Sequence, residues 1–371
     1  MKYKLSNLCE YRKGKIDISD LTNETYISTE NMIPNRGGTN VASALPNVKQ
    51  TNEYREGDVL VSNIRPYFKK IWFATNNGGC SNDVLVFQAK GKTDKRFLYY
   101  VLADDMFFTY SMTTSKGTKM PRGDKNAIMA YEVPNFKIEV QRKIADILSI
   151  LDEKIRLNIK INNNLEQQAK AIFKSWFIDF EPFSNQKPND WSISTLGNVS
   201  IMGAGGDKPQ NVSQIKTDLY QYPIYSNGLS EEGLYGFTDK PKISEESVTV
   251  SARGTIGFVC LRHIPYVPIV RLVTLIPKTE IISAKYLYLW LKQLHITGTG
   301  TTQQQLTVPD FQKTEILVPS QEIVTLFTTT VEPIFEKIWA NQNENGKLSS
   351  LRDTLLPKLM SGELDVSDIE I

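Results

Sequence analysis

The chain has 371 residues, 40% of them hydrophobic and 23% charged, a composition typical of globular proteins that leaves room for two or three domains. Its formal net charge is only +2, divided into +6 over residues 1–185 and −4 over residues 186–371, so a polyanion could bind only at local patches. The three cysteines are widely separated, which excludes a disulfide framework, and no apolar run approaches a membrane span or a secretory signal. We therefore expect a cytoplasmic protein with no membrane contact.

Residues 1–137 are predicted to form a globular domain of α+β or mostly-β class, and we favour α+β. Short β-branched and aromatic runs such as Asp58–Ser62 and Asp83–Phe87 are separated by turn-forming segments rich in asparagine and glycine. One helix is expected near residues 95–109. This pattern of short strands and turns, with one helix, predicts a mixed β-sheet with few helices.

Residues 138–183 are predicted to contain a long helix. Apolar residues recur every three or four positions, and neither proline nor glycine occurs from Gln141 to Phe180. Such a helix of roughly 36–40 residues would be about 55 Å long. The apolar face of a helix of that length is too long to be buried on one small domain.

Residues 184–318 repeat the texture of the first domain, with strands at Ser247–Ser251 and Leu272–Ile276 and a helix near residues 283–295.

Residues 319–371 are predicted to form a second long helix, over Gln321–Met360, followed by an acidic tail. Pro333 is expected to kink or begin this helix. We expect the two long helices to bury their apolar faces on each other, as an antiparallel, coiled-coil-like pair.

The two halves of the chain resemble each other. Five short segments recur in the same order at offsets of 183 to 191 residues; for example, Leu5–Leu8 recurs as Leu196–Val199, and Glu153–Ile155 as Glu336–Ile338. The sequence therefore predicts a tandem duplication with a pseudo-twofold repeat of a unit of roughly 185 residues.

Catalytic signatures are lacking. The sequence contains no phosphate-binding GxxxxGK[ST] loop, no HExxH or GxSxG motif, and only two histidines. It also lacks the cofactor loop and the Asn-Pro-Pro-aromatic segment of a DNA methyltransferase. We predict that the chain has no catalytic residues and binds no metal.

Basic and polar loops at equivalent places in the two halves are the candidate binding site. Lys and Arg neutralise phosphates and an Arg fork reads guanine, whereas Gln can bond adenine. The candidates in the first half follow a strand or lie in the loop Thr113–Lys125; they are Asn63, Arg65, Tyr67, Lys69, Lys70, Lys116, Lys119, Arg122 and Lys125. The candidates in the second half are Tyr225, Asn227, Arg253, Thr301, Gln303, Gln304 and Gln305.

In its order of elements and in two long segments, the chain resembles a known family, the specificity (HsdS) subunits of Type I restriction-modification systems. The order of variable domain, long helix, second variable domain and second long helix covers the whole chain. The most specific segments are Ile144–Phe180 and Leu348–Val366, which look like the family's central and distal constant regions. The chain departs from the family at Asn135–Gln141, where the Pro-Pro-Leu-x-Glu-Gln segment that precedes the family's first helix is only partly kept.

The resemblance implies a non-catalytic, DNA-binding scaffold. Two target recognition domains, at 1–137 and 184–318, would each read half of a bipartite double-stranded DNA target, with helices at 138–183 and 319–371 separating them by roughly one and a half DNA turns. Two modification (methyltransferase) subunits and the restriction (motor-nuclease) subunits would dock on the chain. S-adenosylmethionine, ATP and Mg²⁺ would belong to those partners, giving a complex for DNA adenine methylation and phage defence. The candidate partner contacts on the first helix are Lys154, Arg156, Lys160 and Lys170.

Two other functions fit the same residues. The chain could be the recognition subunit of a Type IIB-like restriction system, in which one partner both cuts and methylates. It could also be a structural coiled-coil adaptor with no role in nucleic-acid binding.

Overall fold

A computed structural model describes residues 2–117, 119–298 and 305–366. The chain divides into two compact units, the first formed by Met1–Ile159 with Gln342–Ile371 and the second by Lys160–Asn341. Both long helices are continuous across this division, so each unit holds one part of each helix. Within the described residues, no helix is long and apolar enough to cross a membrane.

The first unit begins with a β-rich domain that ends where the first long helix starts. Its elements are β1 Lys2–Lys4, α1 Leu5–Leu8, β2 Cys9–Tyr11, β3 Lys15–Asp17, β4 Tyr26–Ile27, β5 Gln50–Tyr54, β6 Val59–Ser62, β7 Ile71–Phe73, β8 Gly78–Cys80, β9 Val84–Ala89, α2 Lys95–Ala103, α3 Asp105–Thr113, α4 Lys125–Met129, β10 Glu132–Pro134 and α5 Ile138–Phe177.

Three sheets form this domain. Strands β1 and β10 pair antiparallel, a second sheet has the order β2-β9-β6-β7, and a third has the order β3-β5-β8-β4. Every pair in the second sheet is antiparallel, whereas β4 and β8 run parallel. All four residues of β6 are buried, because this strand lies inside its sheet and faces the core on both sides.

The second unit follows the same plan. Its elements are β11 Ser192–Thr195, α6 Leu196–Val199, β12 Ser200–Ala204, β13 Tyr222–Tyr225, β14 Leu234–Thr238, β15 Ser247–Val250, β16 Val259–Arg262, β17 Val267–Pro268, β18 Val273–Pro277, α7 Ala284–Gln293, α8 Val308–Phe311, β19 Glu315–Val318 and α9 Gln321–Ser361. Strands β11 and β19 pair antiparallel, and the larger sheets have the orders β12-β18-β15-β16 and β14-β13-β17.

The duplication predicted from the sequence is visible in this topology. The repeated segments Leu5–Leu8 and Leu196–Val199 both form a single helical turn that enters the second sheet. The antiparallel order β2-β9-β6-β7 corresponds strand by strand to β12-β18-β15-β16, and each unit has one parallel pair in its third sheet. The predicted α+β class with two tandem domains is therefore confirmed.

The long helices contribute to the core of each unit. In the first unit, Leu148 of α5 and Leu356 of α9 are buried with the sheet residues Val59 and Phe87. In the second unit, Phe173 and Phe177 of α5 lie 5.9 Å and 4.9 Å from Phe327 of α9, measured between ring centroids. Within each unit, residues further along α5 contact residues nearer the start of α9, which is the antiparallel arrangement predicted for the pair.

Some predicted boundaries differ from the observed ones. The helix expected at residues 95–109 is two helices, because Asp104 leaves helical geometry and its carboxylate caps the second at Met106 N. Helix α5 spans Ile138–Phe177 instead of Gln141–Phe180; Phe180, with φ of 56°, is left-handed. Pro333 does not begin α9, which starts twelve residues earlier at Gln321.

Candidate nucleic-acid interface

Two basic loops of the first unit lie side by side. The turn that follows β6 pairs with the loop that precedes α4, since Ile64 and Arg122 form a β-bridge and Arg65 N donates to Pro121 O at 2.9 Å. Lys116 and Arg122 form a second bridge, with two backbone hydrogen bonds of 2.9 Å and 3.0 Å. Candidate residues from two separate stretches of sequence therefore share one surface, and the exposed Lys119 lies between the bridged residues in the sequence.

Exposed positive charge dominates this surface. The Lys116 ammonium binds the Asp124 carboxylate at 2.8 Å, and Asp124 also caps α4 through Asn126 N and Ala127 N. The hydrogen bond from Lys116 lowers the pKa of Asp124, and the same bond raises the pKa of Lys116. Arg122 pairs with Asp83 at 3.0 Å, but 55% of its side chain stays exposed, so this pair is weak and can be exchanged for a phosphate. Lys119 and Lys125 are exposed.

Arg65 occupies an unusual position on the same surface. Its φ of 50° is left-handed, and its Nε is buried without a hydrogen-bond partner among the described residues. The equivalent position in the second unit, 189 residues later, is Gly254 with φ of 69°. A glycine adopts this conformation without strain, whereas arginine does so at a cost that functional sites tolerate.

The other basic residues of this stretch contact neighbouring protein segments. Lys69 binds Asp105 at 2.8 Å, and the Lys70 ammonium donates to Thr29 O at 2.6 Å. Burial lowers the pKa of Lys70. Asn63 is also buried, with 9% of its surface exposed, whereas Tyr67 is 49% exposed. Of these four candidates, Tyr67 is the one whose side chain is open to solvent.

The second unit joins its two loops by a backbone contact at the equivalent positions, and we call this contact between loops the junction of each unit. Ala252 O accepts from Leu306 N at 3.1 Å, just as Asn63 O accepts from Gly123 N in the first unit. The exposed Arg253 donates to the Gln305 side-chain carbonyl at 2.7 Å. The candidates Thr301, Gln303 and Gln304 lie outside the described residues.

Tyr225 and Asn227 contact the protein itself. The Arg262 guanidinium lies 3.6 Å from the centroid of the Tyr225 ring. The Asn227 amide donates to Val270 O and its carbonyl accepts from Ala252 N, both at 2.7 Å. Asn227 therefore joins two loops of the second unit, a role that no sequence pattern indicated.

The four candidate partner contacts lie on α5. Lys154 pairs with Glu344 of α9 at 3.5 Å and Lys170 pairs with Glu166 at 3.0 Å, while Arg156 and Lys160 are exposed. The sequence predicted apolar residues beside these cations, but it did not show which of them are exposed. Ile150, Leu157 and Ile159 of α5 are each at least 50% exposed.

Comparison with known proteins identifies the architecture. The family model described as "Type I restriction modification DNA specificity domain" matches residues 1–167 and 188–345. The chain is 26% identical to the Type I restriction enzyme MjaIX specificity subunit of Methanocaldococcus jannaschii, over 97% of this chain and 89% of that protein. It is 25% identical to the HindI specificity subunit of Haemophilus influenzae, over 98% of this chain and 99% of that protein.

A solved structure has the same fold. The crystal structure of a Type I restriction-modification system S subunit from M. genitalium superimposes with a TM-score of 0.61 at 18% sequence identity, over 97% of this chain and 96% of that chain.

Proposed function

Because this chain belongs to the Type I restriction-modification DNA specificity family, we propose that it is the non-catalytic subunit that selects the DNA sequence on which its complex acts. Each of the two β-rich domains, at residues 1–137 and 184–318, reads one half of a bipartite double-stranded target. The adaptor function and the Type IIB-like function are less favoured, since the matching family model and the two relatives are those of Type I specificity subunits.

The observation that carries the proposal is the junction of loops at equivalent places in both units. Asn63 O with Gly123 N, and Ala252 O with Leu306 N, join a turn after a buried strand to a loop near the end of the domain. In the first unit this junction exposes Lys119 and Lys125, which suit phosphate contacts. Arg122 lies on the same surface and can share in these contacts.

We further infer that the helices set the separation of the half-sites. Helices α5 and α9 contain 40 and 41 residues, about 60 Å each at 1.5 Å per residue. Since a helix has a fixed rise per residue, its length fixes the number of base pairs left unread between the halves.

Two modification subunits would dock on these helices and restriction subunits would join them. The exposed Leu157 and Ile159, next to Arg156 and Lys160, offer the mixed apolar and basic surface of a protein interface. S-adenosylmethionine, ATP and Mg²⁺ would be bound by those subunits and not by this chain.

The test is reconstitution of the full chain with the methyltransferase encoded beside it. We expect a stable complex of two methyltransferases to one chain, which shifts DNA in a salt-dependent and sequence-dependent manner. A complex that forms without any DNA dependence would support the adaptor function instead. A single partner that both cuts and methylates would indicate the Type IIB-like system.

A further inference from the structure

A groove of about 460 Å³ opens on the second unit, next to the junction that contains Arg253. One wall is the turn Gly205–Lys208 after β12, and the other is the turn Val270–Arg271 between β17 and β18. Tyr235, Arg253 and Ile269 complete the lining. The groove is therefore continuous with the second unit's candidate surface.

Its lining is positively charged. Arg253, Arg271 and Lys208 lie in the walls, with Asp207 as the single acid. The Lys242 ammonium is close by, 3.8 Å from where a Cβ on Gly206 would stand. Neither Lys208 nor Arg271 has an ion-pair partner in the part of the chain that the structure describes. These charges are available to an anionic ligand.

The turn that presents Arg271 is strained. Val270 and Arg271 have φ of 51° and 59°, and a β-branched residue in this left-handed region is a genuine outlier. Backbone bonds of 2.9 Å hold the turn against the opposite wall, from Val270 N to Gly206 O and from Arg271 N to Gly205 O. Gly205 cannot be replaced there, since a Cβ would lie 2.7 Å from Ile269 N.

Asn227 connects the Val270–Arg271 wall of the groove to the loop that carries Arg253. Its amide donates to Val270 O, and its carbonyl accepts from the backbone N–H of Ala252, the residue before Arg253. One side chain thus holds the strained turn and the Arg253 loop together. Strain maintained by its surroundings is concentrated at functional sites.

We propose that this groove binds the DNA backbone at the half-site read by the second unit, with Arg271 and Lys208 contacting phosphates. This inference rests on the proposed function and adds to it, because neither residue is apparent from the sequence pattern. Val270, 53% exposed between the cations, adds an apolar contact that suits a thymine methyl group. Asn227 acts as a positioning residue that does not itself touch DNA.

The experiment measures DNA affinity of the full chain in complex with its methyltransferase, at several salt concentrations. The probe is a duplex that carries the target identified by methylome sequencing. We expect the double variant Arg271→Ala with Lys208→Ala to raise Kd at least about tenfold, and to reduce the slope of log K against log salt by about two, since each neutralised phosphate contributes roughly 0.9. Lys278→Ala, at the other end of β18, is the control and should change neither quantity.

An unchanged Kd and slope in the double variant, with wild-type complex binding its target, would overturn the groove assignment and leave the proposed function standing. A wild-type complex without any sequence preference would overturn the proposed function as well. Asn227→Ala should relax base discrimination in one half-site while the other keeps its discrimination. Equal loss in both halves would show a general folding defect and contradict its positioning role.

Discussion

Asn158 of α5 donates from its side-chain amide to the Asn345 side-chain carbonyl of α9 at 2.9 Å. Asn158 is almost fully buried, with 1% of its surface exposed, and it also donates to the Glu344 carboxylate at 2.8 Å. A buried amide between two packed helices stabilises the one register in which its hydrogen bonds can form.

The duplication places a second such pair 183 residues away. Asn158 corresponds to Asn341, and Asn345 corresponds to Asn162. In the second unit, Asn341 is 2% exposed and donates to the Asn162 side-chain carbonyl at 2.7 Å. The repeated Asn pair therefore specifies register and antiparallel direction in each unit separately.

Replacing Asn158 with alanine should destabilise the chain. The substitution leaves Asn345 without its partner in a half-buried position, which costs about 1–3 kcal/mol. Asn163→Ala is the matched control, because it has the same gain in helix propensity at an exposed position of the same helix. The measurement is urea unfolding followed by circular dichroism, and equal midpoints for both variants would refute the role of the pair.

Removing the cations of the first unit should weaken DNA binding without changing sequence preference. The variant in which Lys116, Lys119, Arg122 and Lys125 all become alanine should lower affinity for every sequence, since phosphates carry no sequence information. The salt slope of binding should fall by about 0.9 for each phosphate that the variant no longer neutralises.

Lys92 provides the control for that measurement. It is exposed and follows β9 at the end opposite Asp83, the partner of Arg122. Lys92→Ala should leave the slope unchanged. If the quadruple variant also binds with the wild-type slope, the loop is not part of the interface.

Stability should fall in mild acid because of His263. Its ring stacks on Trp339 of α9, with centroids 4.1 Å apart, and partial burial together with the charges of Lys285 and Arg262 lowers the pKa of His263 from 6.5 to about 4. The unfolded chain therefore binds this proton more readily, so the contribution is complete above pH 6.5 and is lost as pH falls toward 4. His263→Gln should remove this part of the pH dependence of the free energy of unfolding. If the free energy of unfolding falls equally with pH in the wild type and the variant, His263 is not the cause.

The two long helices could be predicted from the period of their apolar residues, but the residues at which they end could not. The apolar stripe predicted α5, but it did not predict that the helix ends at Phe177 and that the chain is left-handed at Phe180, for which an aromatic side chain gives no local signal. Pro333 suggested a break in α9, at a typical cost of about 3 kcal/mol. The burial of Val331 and Phe335 on either side of it in the second core outweighs that cost.

The candidate site was predictable in outline. Charge and position drew attention to Lys116, Lys119 and Arg122, which the structure places on one surface. The tertiary contacts of Lys70 and Asn227 depend on Thr29 and Val270, more than 40 residues away along the chain in each case. Spacing within a loop cannot reveal contacts of that separation.

A matched insertion tests the inferred role of the helices. Four residues inserted after Lys160 in α5 and four after Asn343 in α9 keep both Asn pairs and add about 6 Å to each helix. We expect the unread spacer of the target to lengthen by one or two base pairs, at about 3.4 Å each, with both half-sites unchanged. The same insertion in α5 alone should disrupt one Asn pair and reduce stability. A change in the bases read, and not in their spacing, would contradict the inferred role.

The central claim is that this chain selects the DNA sequence on which its complex acts. The most direct measurement is the methylome of the host with and without an intact copy of the gene. We predict that one bipartite methylated motif is present with the intact gene and disappears completely without it. A methylome that is identical in the two strains, with the partner methyltransferase expressed in both, would contradict the account.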